Sequence, residues 1–238
     1  MYFDYMKSCA DEIGIEFDEI AYEKFIRYSE MLIDWNSRVN LTAITDMDGI
    51  IKKHFIDSLK VFEFTKLRKA QKIIDVGTGA GFPGIPMKIV NEEFELTLLD
   101  SLNKRIEYLK EVCRELDLDN VNFVHSRAED GAKMPEHREK YDIAVSRAVA
   151  NMAVLSELCL PFVRQGGYFI ALKGPGVEAE LNEAKRAISE MGGKLLEVIN
   201  VTIKDTDLNH NIVVVEKVSR TPQKYPRQAG IVAKKPIR

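Results

Sequence analysis

This sequence of 238 residues has few cysteines and no long apolar run, and each of these features excludes a class of protein. The three cysteines, Cys9, Cys113 and Cys159, form neither a paired framework nor a Cys-x-x-Cys spacing, which argues against a disulfide scaffold and a cysteine-ligated zinc site. No apolar run reaches the roughly 18 residues that span a bilayer, and the N-terminus carries acids where a secretory signal is basic and then apolar. We therefore expect a cytoplasmic chain with no membrane partner.

Metal-ligand spacing is missing as well. His125, His137 and His210 are isolated along the chain, and no cluster of histidines, cysteines and carboxylates has the spacing of a metal site, so we expect no bound metal. With 45% hydrophobic and 30% charged residues, the composition is typical of a globular protein. The length allows one large domain with a small addition.

Net charge is low, but it is unevenly distributed. A total of −3 would indicate no preference for nucleic acid, yet residues 217–238 carry seven basic residues and no acid, so residues 1–216 sum to −10. A cationic arm on an acidic body is typical of a polyanion contact, although a solubilising tail has the same charge. Composition favours the contact, because Tyr225 and two prolines lie among the basic residues, as in a semi-rigid phosphate-contacting loop with a stacking ring.

Residues 1–66 are predicted to form a helical cap. Apolar residues recur at helical spacing from Tyr22 to Ile33 and again from Ile50 to Phe62, with a break near residues 46–49. Two or three amphipathic helices are expected.

From Lys72 onward, short apolar runs alternate with helical stretches. The predicted strands cover residues 72–77, 95–100, 121–126, 141–149 and 166–174. The predicted helices between them cover residues 84–91, 103–116, 151–162 and 177–190. This alternation predicts a doubly wound α/β sheet.

Two final apolar runs, at 193–203 and 211–218, are joined by a polar link too short for a helical crossover, so they should pair as an antiparallel hairpin and end the sheet with a reversed strand. The chain is thus divided into the cap at 1–66, an α/β domain at 67–218 and a basic tail at 219–238.

A glycine-rich loop, Asp-Val-Gly-Thr-Gly-Ala-Gly-Phe-Pro-Gly, leaves the first strand at residues 75–84. Glycines such as Gly77 and Gly79 are needed where a backbone turns sharply or approaches a ligand. The second strand ends in Asp100, whose carboxylate can accept both hydroxyls of a ribose. The third strand is followed by Ala128 and Glu129, where an amide and an acid can bind an adenine edge. These signals predict an adenosine cofactor, the alternative being ordinary turns and a helix cap.

The loop spacing then separates two cofactor classes. A dinucleotide fold has Gly-x-Gly-x-x-Gly, whereas this loop has Gly-x-Gly-x-Gly, interrupted by Phe82 and Pro83. Together with the final hairpin, these features resemble a class I S-adenosylmethionine-dependent methyltransferase. That resemblance implies that the loop surrounds the methionine portion of the cofactor and that the acid after the second strand holds its ribose.

Further motifs make the resemblance narrower. They are Trp35-Asn36 followed by Asn-Leu-Thr at 40–42, His54 with Asp-Ser-Leu at 57–59, the loop with Gly-Phe-Pro-Gly-Ile-Pro at 81–86, Ser-Arg-Ala-Val at 146–149, Leu-Lys-Gly at 172–174 and the tail segment 221–230 with Lys-Tyr-Pro-Arg. Together they resemble the RsmG (GidB) family, the bacterial 16S rRNA guanine-N7 methyltransferases, over nearly the whole chain. The resemblance implies methyl transfer to N7 of one guanine in the 530 loop of the small-subunit rRNA. It also implies a cofactor site formed by Gly77, Phe82, Asp100, Ser101, Leu102, Ala128, Glu129 and Arg147.

The implied chemistry needs few catalytic groups. Guanine N7 has an in-plane lone pair and no proton to remove, so attack on a sulfonium methyl requires alignment, without a general base or a covalent intermediate. Arg147 is the one candidate positioning residue. Its guanidinium can hold the cofactor carboxylate, which is the interpretation we favour, or O6 or a phosphate of the RNA.

Several residues keep two interpretations. Cys159 and Trp35 are better explained as core residues than as a nucleophile and a base-stacking platform. His54 and Asp57, one helical turn apart, can orient each other, reach the mouth of the cofactor site or form a satisfied pair on the helix surface. Predicted RNA contacts are Lys173, which otherwise caps a strand end in solvent, and the tail residues Arg220, Lys224, Tyr225 and Arg227.

The expected partner is 16S rRNA within the small ribosomal subunit or an assembly intermediate. A methyltransferase for another RNA site or a small molecule, and a non-catalytic cofactor-binding module associated with the ribosome, are the competing hypotheses.

Overall fold

The computed structural model of the chain describes residues 2–147 and 150–238. Its N-terminal part is helical, as predicted. Helix α1 spans Tyr2–Glu12, α2 spans Glu19–Val39, and a composite stretch follows, made of α3 (Met47–Ile50), a π-helical segment (Ile51–Ile56), α4 (Asp57–Leu59) and two 3₁₀ turns (Lys60–Glu63 and Thr65–Lys69).

The break between α2 and α3 lies earlier than the predicted 46–49. Asn40 ends α2 in the left-handed region, with φ of 48°. Asp46 then begins α3, because its Oδ1 accepts the main-chain N–H of Gly49 at 2.8 Å and satisfies a donor that has no partner within the helix. Gly49 therefore lies inside the helix instead of interrupting it.

Seven strands form one sheet in the order β3-β2-β1-β4-β5-β7-β6. The strands are β1 (Lys72–Val76), β2 (Glu95–Asp100), β3 (Val121–His125), β4 (Tyr141–Ser146), β5 (Val163–Lys173), β6 (Gly193–Thr202) and β7 (Asn209–Lys217). Strands β1 to β5 run parallel, as the doubly wound interpretation requires. The later helices are α5 (Gly84–Val90), α6 (Asn103–Glu115), α7 (Ala128–Gly131), α8 (Met152–Cys159), α9 (Val177–Glu190) and, in the tail, α10 (Ile231–Lys234). The predicted helix at 151–162 ends at Cys159 and continues as a 3₁₀ turn at Leu160–Phe162, because Pro161 cannot donate to a longer α-helix.

The predicted hairpin of β6 and β7 is confirmed, but the reversed strand does not form the edge of the sheet. Strand β7 lies between β5 and β6 and is antiparallel to both. The edge strand is β6, which therefore runs parallel to the first five strands. The register pairs Lys217 of β7 with Gly193 of β6, so β7 ends at the amino edge of the parallel strands, where the basic tail begins.

Two hydrophobic clusters cover the two faces of the sheet. Ile73 belongs to the first and Ile74 to the second, because successive side chains of a strand point to opposite faces. The cap packs into the first cluster through residues such as Phe25 and Phe55. Helices α8 and α9 form the second cluster together with Tyr225 and Ile237 of the tail. Both terminal segments thus share a core with the sheet. Within the described residues, no helix combines the length and apolarity that crossing a membrane requires.

Candidate functional site

The carboxyl ends of β1 to β4 meet at one edge of the sheet and enclose a cavity of about 250 Å³. Its lining comes from four successive strand ends and from α8: Val76, Gly77, Leu99, Asp100, Ser101, Arg105, Ser126, Arg127, Ala128, Glu129, Ser146, Ala150, Leu155, Leu158 and Cys159. A larger cavity, about 530 Å³, lies between α9 and β6, away from these strand ends. Ligands of open α/β sheets bind at the carboxyl edge, so the smaller cavity is the candidate site.

The glycine loop lies over this cavity and leaves space above its backbone. Gly77 and Gly79 have φ of 72° and 62°, and a Cβ on Gly77 would meet no atom of the described residues within 4 Å. Gly81 differs, because a Cβ there would lie 2.6 Å from the Tyr28 hydroxyl of the cap. The first two glycines therefore form an open cradle in a backbone conformation that a residue with a side chain would adopt only with strain, whereas the third allows close packing against the cap.

Asp75 lies under the loop and stabilises it. The carboxylate is fully buried, and its Oδ2 accepts the Thr78 hydroxyl at 2.7 Å and the main-chain N–H of Gly84 at 2.9 Å. Its Oδ1 has no hydrogen-bond partner among the described residues. Burial raises the pKa of the Asp75 carboxyl to about 6, and the two hydrogen bonds only partly offset this cost.

Asp100 connects the glycine loop to the end of β2. Its Oδ2 accepts the Gly79 N–H at 3.0 Å, and its Oδ1 accepts the Leu102 N–H at 2.9 Å. Arg105 approaches Oδ2 at 3.4 Å, and its own Nε is buried without a partner in the described part of the chain. Oδ1 accepts only the Leu102 N–H among the described residues and keeps a second lone pair, so Asp100 can still accept a hydroxyl group from a ligand.

The predicted cofactor residues divide into two groups. The cavity is lined by Gly77, Asp100, Ser101, Ala128 and Glu129. Gly79 is not part of the lining, but its N–H donates to Asp100, which is. The other three, Leu102, Phe82 and Arg147, do not line the cavity, and Leu102 is half-exposed. Cys159 does line it, but the residue is fully buried and burial raises the pKa of its thiol, as expected for a core cysteine. Ala148 and Val149 of the predicted Ser-Arg-Ala-Val motif lie outside the described residues.

Arg147 contacts the cap instead of the cavity. Its Nη1 donates to Asp57 Oδ2 at 3.1 Å, its Nη2 lies 3.2 Å from His54 Nδ1, and the guanidinium stacks 4.6 Å from the centre of the Phe82 ring. His54 and Asp57 therefore each contact Arg147, and within the described residues no hydrogen bond joins their two side chains, although the Asp57 main-chain N–H donates to the His54 carbonyl. These cap groups pair Nη1 and one Nη2 hydrogen of Arg147, and its Nε has no hydrogen-bond partner among the described residues. The favoured interpretation of Arg147 as a ligand of the cofactor carboxylate stays a prediction.

His210 completes this cluster and was not predicted to be part of any site. Its Nδ1 donates to Asp57 Oδ1 at 2.6 Å, and this bond raises the pKa of His210. The two residues are 153 positions apart, so no spacing in the sequence connects them. Only the pairing of β7 with β5 brings His210 to the carboxyl edge.

Lys173 is not free for a phosphate, contrary to its predicted role. It is 9% exposed, and its Nζ donates to the Ala150 carbonyl at 2.9 Å and to Glu180 at 2.8 Å. A nearby carboxylate and burial thus fix the ammonium group at the end of β5.

Two of the predicted tail contacts are structural as well. Tyr225 is 7% exposed and donates its hydroxyl to Glu190, so it is not a stacking ring. Arg227 forms a bidentate pair with Glu157, at 2.9 Å from Nε and 2.6 Å from Nη2, and Glu157 is fully buried. Arg220 and Lys224 are exposed, but they follow Lys217 at the amino edge of the sheet, opposite the cavity. The charge count identified the basic residues correctly. It did not reveal which of these residues are neutralised by buried carboxylates.

Trp35 is partly buried beside the cap–sheet core, in line with its preferred interpretation as a packing residue. Its ring lies 5.6 Å from that of Tyr108, and Arg38 lies over it at the same distance.

Comparison with known proteins identifies close relatives over the full length. The family model of GidB, rRNA small subunit methyltransferase G, matches residues 21–209. The chain is 56% identical to the ribosomal RNA small subunit methyltransferase G of Clostridium tetani and to that of Clostridium perfringens, over 100% of this chain and 99% of each relative. A Clostridium botulinum relative of the same name is 51% identical over the same shares.

Solved structures at much lower identity share the fold. The O-methyltransferase TomG of Streptomyces achromogenes, in complex with S-adenosylmethionine, superposes with a TM-score of 0.57 at 13% identity, over 92% of this chain and 96% of that one. An S-adenosylmethionine-dependent O-methyltransferase of Thermotoga maritima gives a TM-score of 0.53 at 14% identity, over 80% of this chain and 72% of that one. These likenesses confirm the predicted class I methyltransferase fold.

Proposed function

Because this chain belongs to the GidB family, rRNA small subunit methyltransferase G, we propose that it transfers a methyl group from S-adenosylmethionine to N7 of a guanine in the 530 loop of 16S rRNA. The observation that carries the proposal is the full-length match to relatives of that name, joined to a carboxyl-edge cavity that the glycine loop and Asp100 border. The proposed substrate form is the small ribosomal subunit or an assembly intermediate of it.

The cavity suits the cofactor. The open cradle above Gly77 and Gly79 would be filled by any Cβ, and it leaves room for a ligand to lie against the backbone. Asp100 would accept a ribose hydroxyl with the free lone pair of Oδ1, while Ala128 and Glu129 would bind the adenine edge. When bound there, S-adenosylmethionine supplies an electrophilic methyl group on a sulfonium centre.

The protein then has to orient the acceptor and exclude water. Guanine N7 needs no deprotonation, so the proposed reaction is a direct in-line transfer in which alignment lowers the barrier. Ser146 ends β4 at the cavity, and Arg147 follows it, so this strand end is where we place the acceptor base. The family resemblance and this position both support our proposal that the end of β4 positions the base.

The cations nearest the cavity are not those of the tail. Arg127 lines the cavity, and Lys53 and Lys104 lie on segments that border the same edge; all three are exposed and contact no carboxylate of the described residues. We propose that they contact rRNA phosphates around the cavity. Arg220 and Lys224, at the far edge, would then contact only RNA that extends along the body of the protein.

The test uses small-subunit rRNA and small subunits from a strain that lacks the enzyme. Incubation with the purified protein and labelled S-adenosylmethionine should label one guanine, at a site where borohydride and aniline cleave the chain. An Asp100→Ala variant serves as the cofactor-binding control. Absence of label at saturating cofactor, on both rRNA and subunits, would refute the proposal. Label at another nucleotide would refute the proposed site in the 530 loop.

A further inference from the structure

A buried cluster of side chains joins the cap to the ends of two strands beside the cavity. Asp57, at its centre, is 3% exposed; its Oδ2 accepts from Arg147 at 3.1 Å and its Oδ1 from His210 at 2.6 Å. A carboxylate buried this deeply is costly unless it is paired. Both oxygens are paired here, one by the residue that follows β4 and the other by the second residue of β7.

These contacts determine where Arg147 lies. Its Nη1 also donates to the carbonyls of Lys53 at 3.2 Å and His54 at 3.4 Å. The guanidinium packs on Phe82 of the glycine loop, and Phe82 in turn stacks on the His54 ring at 4.6 Å. Arg147 therefore connects the cap, the glycine loop and the end of β4, the three segments between which the acceptor base would enter.

We infer that Asp57 and His210 are positioning residues for the methyl transfer, which hold Arg147 against Phe82 so that the glycine loop and the end of β4 keep one arrangement when the base enters. This inference rests on the proposed function, because it concerns the same reaction. Neither residue lines the cavity, so both would act through Arg147.

The two histidines of the cluster differ in charge. A guanidinium can only donate, so His54 Nδ1 accepts from Arg147 and its proton lies on Nε2, which donates to Thr42 Oγ1 at 2.7 Å. Burial and the adjacent Arg147 lower the pKa of His54 to about 4, so its ring is neutral.

His210 has the opposite tendency, because its bond to Asp57 raises its pKa. The charged groups that face it are Asp57 and Arg147, and its partner on β6, Val201, is apolar. Asp57 thus lies between two cations while His210 is protonated, and loses one of them as the pH rises through the raised pKa of His210. A neutral His210 binds Asp57 less strongly than a protonated one, so Arg147 should be positioned less firmly as the pH rises through this range.

The experiment compares kcat on small-subunit rRNA with cofactor affinity in wild type, Asp57→Asn, His210→Gln and His210→Arg. We expect kcat to fall about tenfold in Asp57→Asn and His210→Gln, while the cofactor Kd changes by less than about twofold, since each loses one hydrogen bond to a charged group away from the cofactor. His137→Gln is the matched control, because His137 also bonds a side chain, the Tyr141 hydroxyl at 2.7 Å, but is not hydrogen-bonded to Asp57 or Arg147 in the described residues.

The pH profile separates positioning from a merely structural role. Wild-type kcat should fall as the pH rises through the raised pKa of His210, whereas His210→Arg stays charged and should retain turnover without that fall. Unchanged kcat in His210→Gln, or identical profiles for wild type and His210→Arg, would overturn the inference. If Asp57→Asn does not fold, the two His210 variants decide the question alone. A wild type that transfers no methyl group to rRNA would instead overturn the proposed function.

Discussion

Gly79 donates its main-chain N–H to Oδ2 of Asp100 at 3.0 Å, so the glycine loop after β1 is bonded to the carboxylate that ends β2. The two residues are 21 positions apart and come together because β1 and β2 are parallel neighbours whose carboxyl ends coincide. A single side chain thus shapes the loop, and its Oδ1 keeps one lone pair for a ligand in the cavity.

Replacing Asp100 by Asn should weaken cofactor binding. The amide oxygen can still accept one main-chain N–H, but the variant loses the negative charge and one acceptor, and hydrogen bonds to a charged group are worth about 1.5 to 3 kcal/mol. We expect S-adenosylmethionine to bind at least about tenfold more weakly by isothermal titration calorimetry. Asp130→Asn, on the exposed side of α7, is the control that should leave binding unchanged. Equal affinity of the two variants would contradict the role of Asp100.

The stability of the fold should depend on pH through Asp75. Its folded-state pKa, about 6, lies above the usual value of 3.8, so between these values the folded chain binds more protons than the unfolded chain. Wild-type stability therefore falls as the pH rises through this window, and the penalty persists above it.

Asp75→Asn removes this penalty, because an amide has no charge to bury and its oxygen can still accept from Thr78 and Gly84. The stability of the variant relative to wild type should therefore increase from pH 4 to pH 8 by at most about 3 kcal/mol, on top of the constant cost of placing its amide N–H groups where Oδ1 has no partner. Urea unfolding at several pH values measures this difference. A difference that stays constant with pH would show that Asp75 does not carry the penalty.

Arg227→Ala should destabilise the fold, although the tail was expected to act on RNA. The change leaves the fully buried Glu157 without its bidentate partner, at a cost of about 3 kcal/mol. Lys224→Ala, at an exposed neighbouring cation, should stay within about 0.5 kcal/mol of wild type. Denaturant unfolding compares them, and adding Glu157→Gln to Arg227→Ala should recover part of the loss. Equal stability of the two single variants would mean that the pair contributes nothing.

Neutralising the cavity-edge cations should weaken RNA binding in a salt-dependent manner. Each phosphate contact contributes roughly 0.7 to 0.9 to the slope of log K against log salt. Arg127→Ala and Lys53→Ala should each make the slope shallower by about that amount, whereas Lys224→Ala, at the opposite edge, should change it less. Filter binding of small-subunit rRNA at several salt concentrations provides the slopes. A larger change of slope in Lys224→Ala would indicate that the tail makes the main contact with RNA.

Local features of the sequence were sufficient to predict most of the elements. Alternating apolar runs predicted the strands, helical spacing predicted helices such as Val177–Glu190 at their observed bounds, and a short link predicted the β6–β7 hairpin. These features are recognisable because strand and helix periodicity is written into neighbouring residues. The cavity-lining residues Gly77, Asp100 and Glu129 were recognisable for a similar reason, since each lies at or shortly after the end of a strand and parallel strands bring their ends together.

The partners of charged groups were decided only by the tertiary structure. The sequence presents Lys173, Arg227 and Tyr225 as available for RNA, but folding pairs them with Glu180, Glu157 and Glu190. It presents His210 as isolated, but the insertion of β7 beside β5 brings it to Asp57. Composition and spacing determined the fold class, the position of the glycine loop and the number of cations. Which cations stay free depends on distances between residues far apart in the chain, because a buried charge must find its partner across the packed core.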